Sequence, residues 1–242
     1  MRVVVTRPRH SGERTVRRLT QMGHDAFLLS LAEPIHHTGE AARALSNTEG
    51  AIAVTSAEAI RALATLGPDL ARHFHRPMFA VGKSTAKEAA GLGFTDITAS
   101  EGGGIELATL ISARMGGPAQ SPLLYLAGDP RAAGFEAKLT ELQLPFRTVE
   151  CYRMQDTIPD EAILRQLFED APADAVLLYS HQTARRFFVL PFIQKNPAAL
   201  SETRFLCLSE AVAGAIPPAM RLHADIAEMP NEDQLLALLV TA

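Results

Sequence analysis

Short aliphatic, β-branched runs alternate with amphipathic stretches along the whole chain. Met1 to Arg7 (MRVVVTR) is the first run and stops at Thr6-Arg7-Pro8. A helical pattern follows from about Glu13 to Met22, with Val16, Leu19 and Met22 as its buried stripe, Ser11 as N-cap and Gly23 as stop. Asp25–Leu31 predicts a second strand. In AEPIHHTGEA, Pro34 and the change of pattern predict a crossing segment, not a sheet strand. Gly50–Thr55 is a buried-type strand that breaks at Ser56, and its helix runs to Leu66 before Gly67-Pro68. Pro77–Val81 is a strand, and Gly82-Lys83-Ser84-Thr85 turns into a helix ending near Gly91 and Gly93. Asp96–Ala99 is a short strand, and Gly102–Gly104 opens a helix with stripe Ile105, Leu107, Leu110 and Ile111.

Gly116–Pro122 has the composition of a linker, and the pattern then restarts. Leu123–Ala127 predicts a strand, Gly128–Arg131 a turn, Gly134–Leu142 a helix and Phe146–Tyr152 a strand. Arg153–Pro159 resembles the earlier crossing segment. Ala175–Tyr179 is a strand ending at Ser180, with a helix carrying Phe187 and Phe188. Phe205–Leu208 is a strand ending at Ser209-Glu210. A strand near Ala224–Ala227 and a helix from Asn231 to about Val240 complete the chain. The halves match in order: Val5 with Leu126, Gly12 with Gly134, Ser56 with Ser180, Gly82 with Ser209, and Leu107 with Leu236. The separation between partners only grows, as small loop insertions would make it. The fold class expected is α/β, two similar units with mainly parallel sheets.

Composition narrows the classes of function. At 242 residues, 47% hydrophobic and 21% charged, the chain is ordinary globular protein of one or two domains. A net charge of -4 argues against coating nucleic acid or an anionic membrane, while leaving room for a local basic cleft. Cys151 and Cys207 sit in apolar runs with no metal-ligand or disulfide spacing, which fits a reducing compartment. The N-terminal strand leaves no room for a signal peptide, and no apolar run spans a membrane. A cytoplasmic protein is expected.

In open parallel sheets ligands bind beyond the carboxyl ends of the strands, where helices begin. There this chain places Thr6-Arg7, Ser56, Lys83-Ser84-Thr85, Gly102–Gly104, Gly128–Arg131, Ser180-His181, Ser209-Glu210 and Asn231. Small, hydroxylic and glycine residues at helix starts expose backbone N–H groups that favour anions. Ser56, Ser180 and Asn231 have the competing reading of plain helix caps, and Thr85-Ala86-Lys87-Glu88 that of a capping box. Arg7 and Arg131 have that of solvated surface charges. Ser180-His181 lacks a third member for nucleophilic catalysis, and His36-His37 reads as linker. No GxGxxG or GxxxxGK[ST] spacing supports a nucleotide site.

The motifs VVVTRP at the start, IAVTSAEAI at 52–60, FAVGKSTAKEAAGLGF at 79–94, LLYLAGDPR at 123–131, VECYR at 149–153 and LLYSHQTARRF at 177–187, in this order, resemble the uroporphyrinogen-III synthase family over essentially the whole chain. The resemblance implies cyclisation of hydroxymethylbilane, a linear tetrapyrrole polycarboxylate, with loss of water and inversion of the last ring through a spiro intermediate. It implies no metal or cofactor, with hydroxymethylbilane synthase as a transient partner; charge and hydropathy leave no nucleic-acid or membrane partner expected, and a monomer with mobile lobes is expected because lobe motion is the default where an interface is small. The resemblance implies two three-layer lobes, 1–33 plus 160–242 and 42–149, joined by a two-stranded ladder of 34–41 and 150–159, with the site in the cleft between them. Tyr152 matches the family's tyrosine after the mid-chain strand and is the expected proton donor to the departing hydroxyl; its competing reading is a ladder tyrosine. Thr85, Ser56 and Ser180 match the family's hydroxyl positions. Arg7, Lys83 and Arg131 are the expected carboxylate partners, with Ser84 and Ser209 beside them. One departure stands out: Leu208–Ala213 lacks the hydroxyl-rich turn, and Glu210 would repel a carboxylate.

Other classes compete. A two-lobed solute-binding protein shares the duplicated architecture. A ligand-sensing module that kept the fold without turnover would account for the departure at 208–213. A nucleotide-dependent enzyme ranks last for want of a phosphate fingerprint.

Overall fold

The computed structural model describes residues 1–115 and 121–240. Most of the linker expected at Gly116–Pro122 lies outside the described residues. The chain opens with β1 (Arg2–Val5), α1 (Arg9–Gln21) and β2 (Asp25–Leu28). A second set follows: β3 (Ala32–His36), α2 (Thr38–Ser46), β4 (Ile52–Val54), α3 (Ala57–Ala64), β5 (Met78–Val81), α4 (Gly82–Leu92), β6 (Ile97–Ser100), α5 (Gly104–Met115), β7 (Leu123–Asp129), α6 (Gly134–Glu141) and β8 (Phe146–Asp156). The rest comprises α7 (Glu161–Arg165), β9 (Ala175–Leu178), α8 (His181–Phe188), α9 (Pro191–Lys195), β10 (Arg204–Cys207), α10 (Glu210–Ala213), β11 (Ala224–Ile226) and α11 (Glu232–Ala237).

The chain divides into two compact units, Met1–Glu33 with Gln155–Ala242 and Pro34–Met154. The first holds a sheet of order β11-β10-β9-β1-β2, parallel throughout. The second holds β3-β8-β7-β4-β5-β6, in which β8 to β6 are parallel. Reading β8-β7-β4-β5-β6 against β2-β1-β9-β10-β11 gives one strand order, so the repeat seen in the sequence is a repeat of topology. Alternate strand residues enter opposite core layers: Val3 and Val5 pack with Leu19 and Leu235, while Val4 packs with Phe187 and Phe205. Burial on both faces explains why the strands are continuous apolar runs.

The register of the repeat differs from its sequence alignment by one residue. Val5 lies beside Leu177 and Tyr125 beside Ala53, and these partners stand three residues before Ser180 and Ser56. Val5 therefore corresponds to Tyr125, not Leu126, as the alternation of faces requires.

Several local expectations are corrected. α1 starts at Arg9 with Pro8 as its cap, so Ser11 lies inside the helix and its hydroxyl donates to the Pro8 carbonyl at 3.1 Å. Its buried positions are Ser11, Gly12, Thr15 and Leu19, and Met22 is exposed. Small residues make this stripe because α1 lies close on β2; a Cβ on Gly12 would overlap the Leu28 side chain. The segment that the hydrophobic pattern alone reads as crossing is strand β3, bonded to β8 as the family resemblance implies, and it tolerates Pro34 because it is the sheet edge. His37 N–H donates to the Cys151 carbonyl at 2.8 Å. β8 continues through Arg153 to Asp156. Helices α2 and α7 follow segments in which no helix was expected. α4 begins at Gly82, where a positive φ of 76° turns strand into helix without a loop. Thr85 thus sits inside the helix, buried, and no capping box forms.

A buried cation ties the second unit together. The Arg76 guanidinium donates to the Gly50 carbonyl at 2.8 Å, the Leu45 carbonyl at 3.2 Å and the Thr48 hydroxyl at 3.2 Å. Replacing it strands these acceptors without partners. Arg76→Ala is expected to destabilise the protein by about 2–4 kcal/mol, measured by urea unfolding.

Candidate active site

The carboxyl edge of the second sheet carries a cavity of about 450 Å³, built from the ends of β4, β5 and β7, Tyr152 within β8, and the starts of α5 and α6. Its geometry begins with the backbone. Between β7 and β8, Ala127 lies opposite Glu150 but Gly128 lies opposite Tyr152, so β8 carries one extra residue, Cys151. This bulge lets Cys151 and Tyr152, consecutive in sequence, both enter one core layer. The Tyr152 ring then lies against Gly128, where any Cβ would overlap it. A glycine and a bulge therefore decide where the phenol goes.

Around it stand groups from separate segments. Ser56 caps α3, its hydroxyl accepting from Glu58 N–H at 3.1 Å, and it lines the cavity as well. Thr55 and Tyr125 share a hydroxyl hydrogen bond of 2.9 Å, and Tyr125 packs edge-on against Phe135 with centroids 4.7 Å apart. Arg131 donates through Nε to Glu136 Oε2 at 3.1 Å, and Thr148 donates to Glu136 Oε1 at 2.7 Å. Gly103 and Gly104 present the amino end of α5 to the same space. Gly104 is needed for close packing, since a Cβ there would fall 2.9 Å from Phe135 Cβ.

The electrostatics follow. Burial raises the Tyr152 phenol above its ordinary pKa, with the Ser56 side chain offsetting part of the shift. Burial likewise raises Tyr125, opposed by Thr55. Burial disfavours ionisation of Glu136, but hydrogen bonds from Thr148 and Arg131 outweigh it and hold the carboxyl below its usual range. The cavity thus combines a protonated phenol, a guanidinium anchored by one carboxylate, two hydroxyls and the N–H-rich start of a helix. Such a set suits a carboxylate-bearing ligand that must receive a proton.

Of the residues singled out in the sequence, Ser56, Gly103, Gly104, Gly128, Pro130, Arg131 and Tyr152 come together here. Lys83, Ser84 and Thr85 form the first turn of α4 outside the cavity lining. Lys83 is exposed and pairs with Glu101 at 3.2 Å, and Thr85 is buried. Ser180 caps α8, accepting from Thr183 N–H at 3.1 Å, and Ser209 precedes the four-residue α10 without a side-chain cap bond. Arg7 is not a free carboxylate receptor. It donates to Glu232 Oε1 at 2.7 Å and covers the Tyr179 ring at 4.3 Å. The same Glu232 oxygen accepts from Thr15 at 2.6 Å and from the Tyr179 hydroxyl at 3.0 Å. Thr55, Tyr125, Glu106 and Phe135 are cavity or support residues that the sequence reading did not single out. Only the position of Thr55 beside Ser56 could have signalled one of them.

His36 and His37, read as linker, each meet a carboxylate: His36 Nε2 lies 2.7 Å from buried Glu58 and His37 Nδ1 lies 3.4 Å from Glu150. Cys151 and Cys207 are buried, and burial pushes both thiols up to about 12, so both are unreactive core positions as expected. Among the described residues no helix is long and apolar enough to cross a membrane.

Two doubly wound α/β units of one topology, with a ligand crevice at the carboxyl edge of a parallel sheet, define a duplicated α/β ligand-binding protein. The chain belongs to the uroporphyrinogen-III synthase family, whose model, described as uroporphyrinogen-III synthase HemD, matches residues 13–237. This is a family of enzymes of haem biosynthesis. Among solved structures, a uroporphyrinogen-III synthetase from Helicobacter pylori is similar at 17% identity and a TM-score of 0.66, covering 100% of this chain and 99% of its own. A mutant uroporphyrinogen III synthase from Thermus thermophilus is similar at 17% identity and a TM-score of 0.60, covering 100% and 98%. At these identities the structures show the shared fold. A direct comparison with curated protein sequences finds no match.

The chain's three tyrosines, Tyr125, Tyr152 and Tyr179, are all raised by burial. Above the unfolded phenol value of about 10, the folded state holds more protons than the unfolded one, so stability falls as pH rises from there. Ultraviolet titration should show the phenols of the folded protein ionising at higher pH than those of the unfolded chain. The same titration in guanidinium should show all three half-ionised at about pH 10.

Proposed function

We propose that this chain cyclises hydroxymethylbilane to uroporphyrinogen III with loss of water, a hydro-lyase reaction, and that the cavity beside Tyr152 is where the departing hydroxyl is protonated. The reading also takes the protein to be a cytoplasmic monomer supplied by hydroxymethylbilane synthase. The observation that carries the site is a buried phenol, fixed by Gly128 and the β8 bulge, in one cavity with Ser56 and Arg131.

The chemistry fits such a place. The C–O bond of the terminal hydroxymethyl group breaks with its electron pair on oxygen, and a proton from Tyr152 makes the leaving group water. The pyrrole nitrogen supplies the pair that forms the exocyclic double bond, leaving a cationic azafulvene. The substituted carbon of the last ring attacks this methylene to give the spiro intermediate. Reopening and reclosure then invert that ring, and loss of a ring proton to the phenolate restores Tyr152. A phenol raised by burial is a weak acid, so it assists ionisation that the electron-rich pyrrole drives. Exclusion of water from the cation matters more than a strong nucleophile. Carboxylate contacts at Arg131 and at the start of α5 supply the binding energy that holds the reacting ends together. Tyr125, bonded to Thr55, supports the cavity wall, and Glu136 orients Arg131.

The decisive assay generates hydroxymethylbilane in place and separates the oxidised products as type I and type III isomers. Type III in excess of the spontaneous type I product is expected. Type I alone from folded protein would overturn the reading in favour of a ligand-binding module. Tyr152→Phe should lower kcat by about 10- to 100-fold with a melting temperature close to that of the parent protein, and an unchanged rate would remove Tyr152 from the mechanism. Gly128→Ala should lose activity to a similar degree because the ring can no longer lie where it does.

A further inference from the structure

Behind the cavity stands a phenol that takes no part in the proposed reaction. Tyr125, within β7, is 1% exposed, and among the described residues its hydroxyl meets one partner, the Thr55 hydroxyl at 2.9 Å. The register explains the meeting. Ala53 lies opposite Tyr125, and side chains alternate along a strand, so Thr55 returns to the Tyr125 face as the chain leaves β4. Phe135 packs edge-on against Tyr125, and Gly104 lies against Phe135, so this is the side of the cavity at which α5 begins. Tyr152 packs in the opposite layer, with Leu124 and Leu126. Thr55 lines the cavity, and its hydroxyl has no second hydrogen-bond partner among the described residues.

The direction of the bond follows from counting hydrogens. Burial raises the Tyr125 phenol above its ordinary pKa, so it carries its hydrogen at neutral pH. A phenol closed off from water that left this hydrogen unbonded would bear the full desolvation cost, and Thr55 Oγ1 is the acceptor within reach. Tyr125 therefore donates and Thr55 accepts. A hydroxyl has one hydrogen, so that of Thr55 is left for an acceptor in the cavity. The first unit is built differently. There Val5 stands at the Tyr125 position and Tyr179, before Ser180, at the Thr55 position, and the Tyr179 hydroxyl donates to Glu232 at 3.0 Å.

We propose that Tyr125 is a positioning residue: by donating to Thr55 it fixes that hydroxyl as a hydrogen-bond donor to a carboxylate of the substrate, in the cavity that Arg131 and the start of α5 also line. This rests on the synthase reading and deepens it. No covalent bond forms or breaks at either residue. The substrate's carboxylates are unchanged when the terminal hydroxyl leaves, so the contact is as strong before that step as during it, and it acts on binding and not on the barrier. Tyr152 acts on the barrier, and kinetics separates the two roles.

The test measures kcat, KM and melting temperature for Tyr125→Phe, Thr55→Val, Thr55→Ser and the Tyr125→Phe/Thr55→Val double variant, scoring type III product from hydroxymethylbilane generated in place. Thr55→Val is expected to raise KM about 5- to 20-fold and Tyr125→Phe at least about threefold, each with kcat within about twofold of the parent. The double variant should match Thr55→Val alone, because Tyr125 acts through Thr55, and Thr55→Ser should restore KM to within about twofold of the parent. Where Thr55→Val does not fold, Thr55→Ala takes its place. A KM raised less than about threefold in Tyr125→Phe would overturn the proposal, as would additive effects in the double variant or a fall in kcat at constant KM. Loss of folding in Tyr125→Phe would assign its hydroxyl to packing and overturn it too. A parent protein that forms only type I product fails at the synthase reading itself, a result separate from all of these.

Discussion

A parallel strand buried on both faces has polar freedom only at its ends, and this constraint organises the whole molecule. Every central strand of the two sheets spends its side chains on two core layers: Val3 and Val5 on one side, Val4 on the other, and likewise Tyr125 against Leu124 and Leu126. Side chains along such a strand are taken up by packing. Chemistry is pushed to the carboxyl edge, where helices begin with unsatisfied N–H groups. The duplication applies this constraint twice, and the two units answer it differently. In one the edge is filled by Arg7, Tyr179, Thr15 and Glu232; in the other Thr55, Ala127 and Gly128 leave it open.

That contrast shows how a repeat becomes asymmetric without changing topology. A tyrosine at the end of β9 stands where β4 ends in threonine, and an arginine after β1 stands where β7 ends in small residues. Side-chain volume alone converts a crevice into a hydrogen-bonded lock. The lock joins α1, β1, β9 and α11 through one carboxylate, whose pairing holds only while it is ionised. Although burial opposes its ionisation, hydrogen bonds from Thr15 and Tyr179 and the charge of Arg7 hold Glu232 below its usual range, so this contribution is present at neutral pH and lost as pH falls through the folded value.

The open site depends on a backbone irregularity more than on its chemical groups. Were β8 regular, Tyr152 and Cys151 would point to opposite faces. The bulge at Cys151 puts both in one layer, and Gly128 leaves room for the ring. Such a site is intolerant of changes that look conservative, because the partner of the phenol ring is the absence of a side chain.

The sequence by itself determined the strand–helix alternation, the repeat, the carboxyl-edge loops, and the presence of Ser56, Arg131 and Tyr152 among the site candidates. These follow from local periodicity and from the short run of residues at each strand end, which one stretch of chain contains in full. Only the tertiary structure decided the start of α1, the edge position of β3, the depth of Thr85 inside α4, and which carboxylate each arginine meets. α1 is set by small residues packing on Leu28, and β3 by an edge that has room for Pro34. Arg7 is committed to Glu232, far along the chain. Charge pairing acts through space across separations that periodicity does not register, so the difference between a filled and an open crevice belongs to the fold.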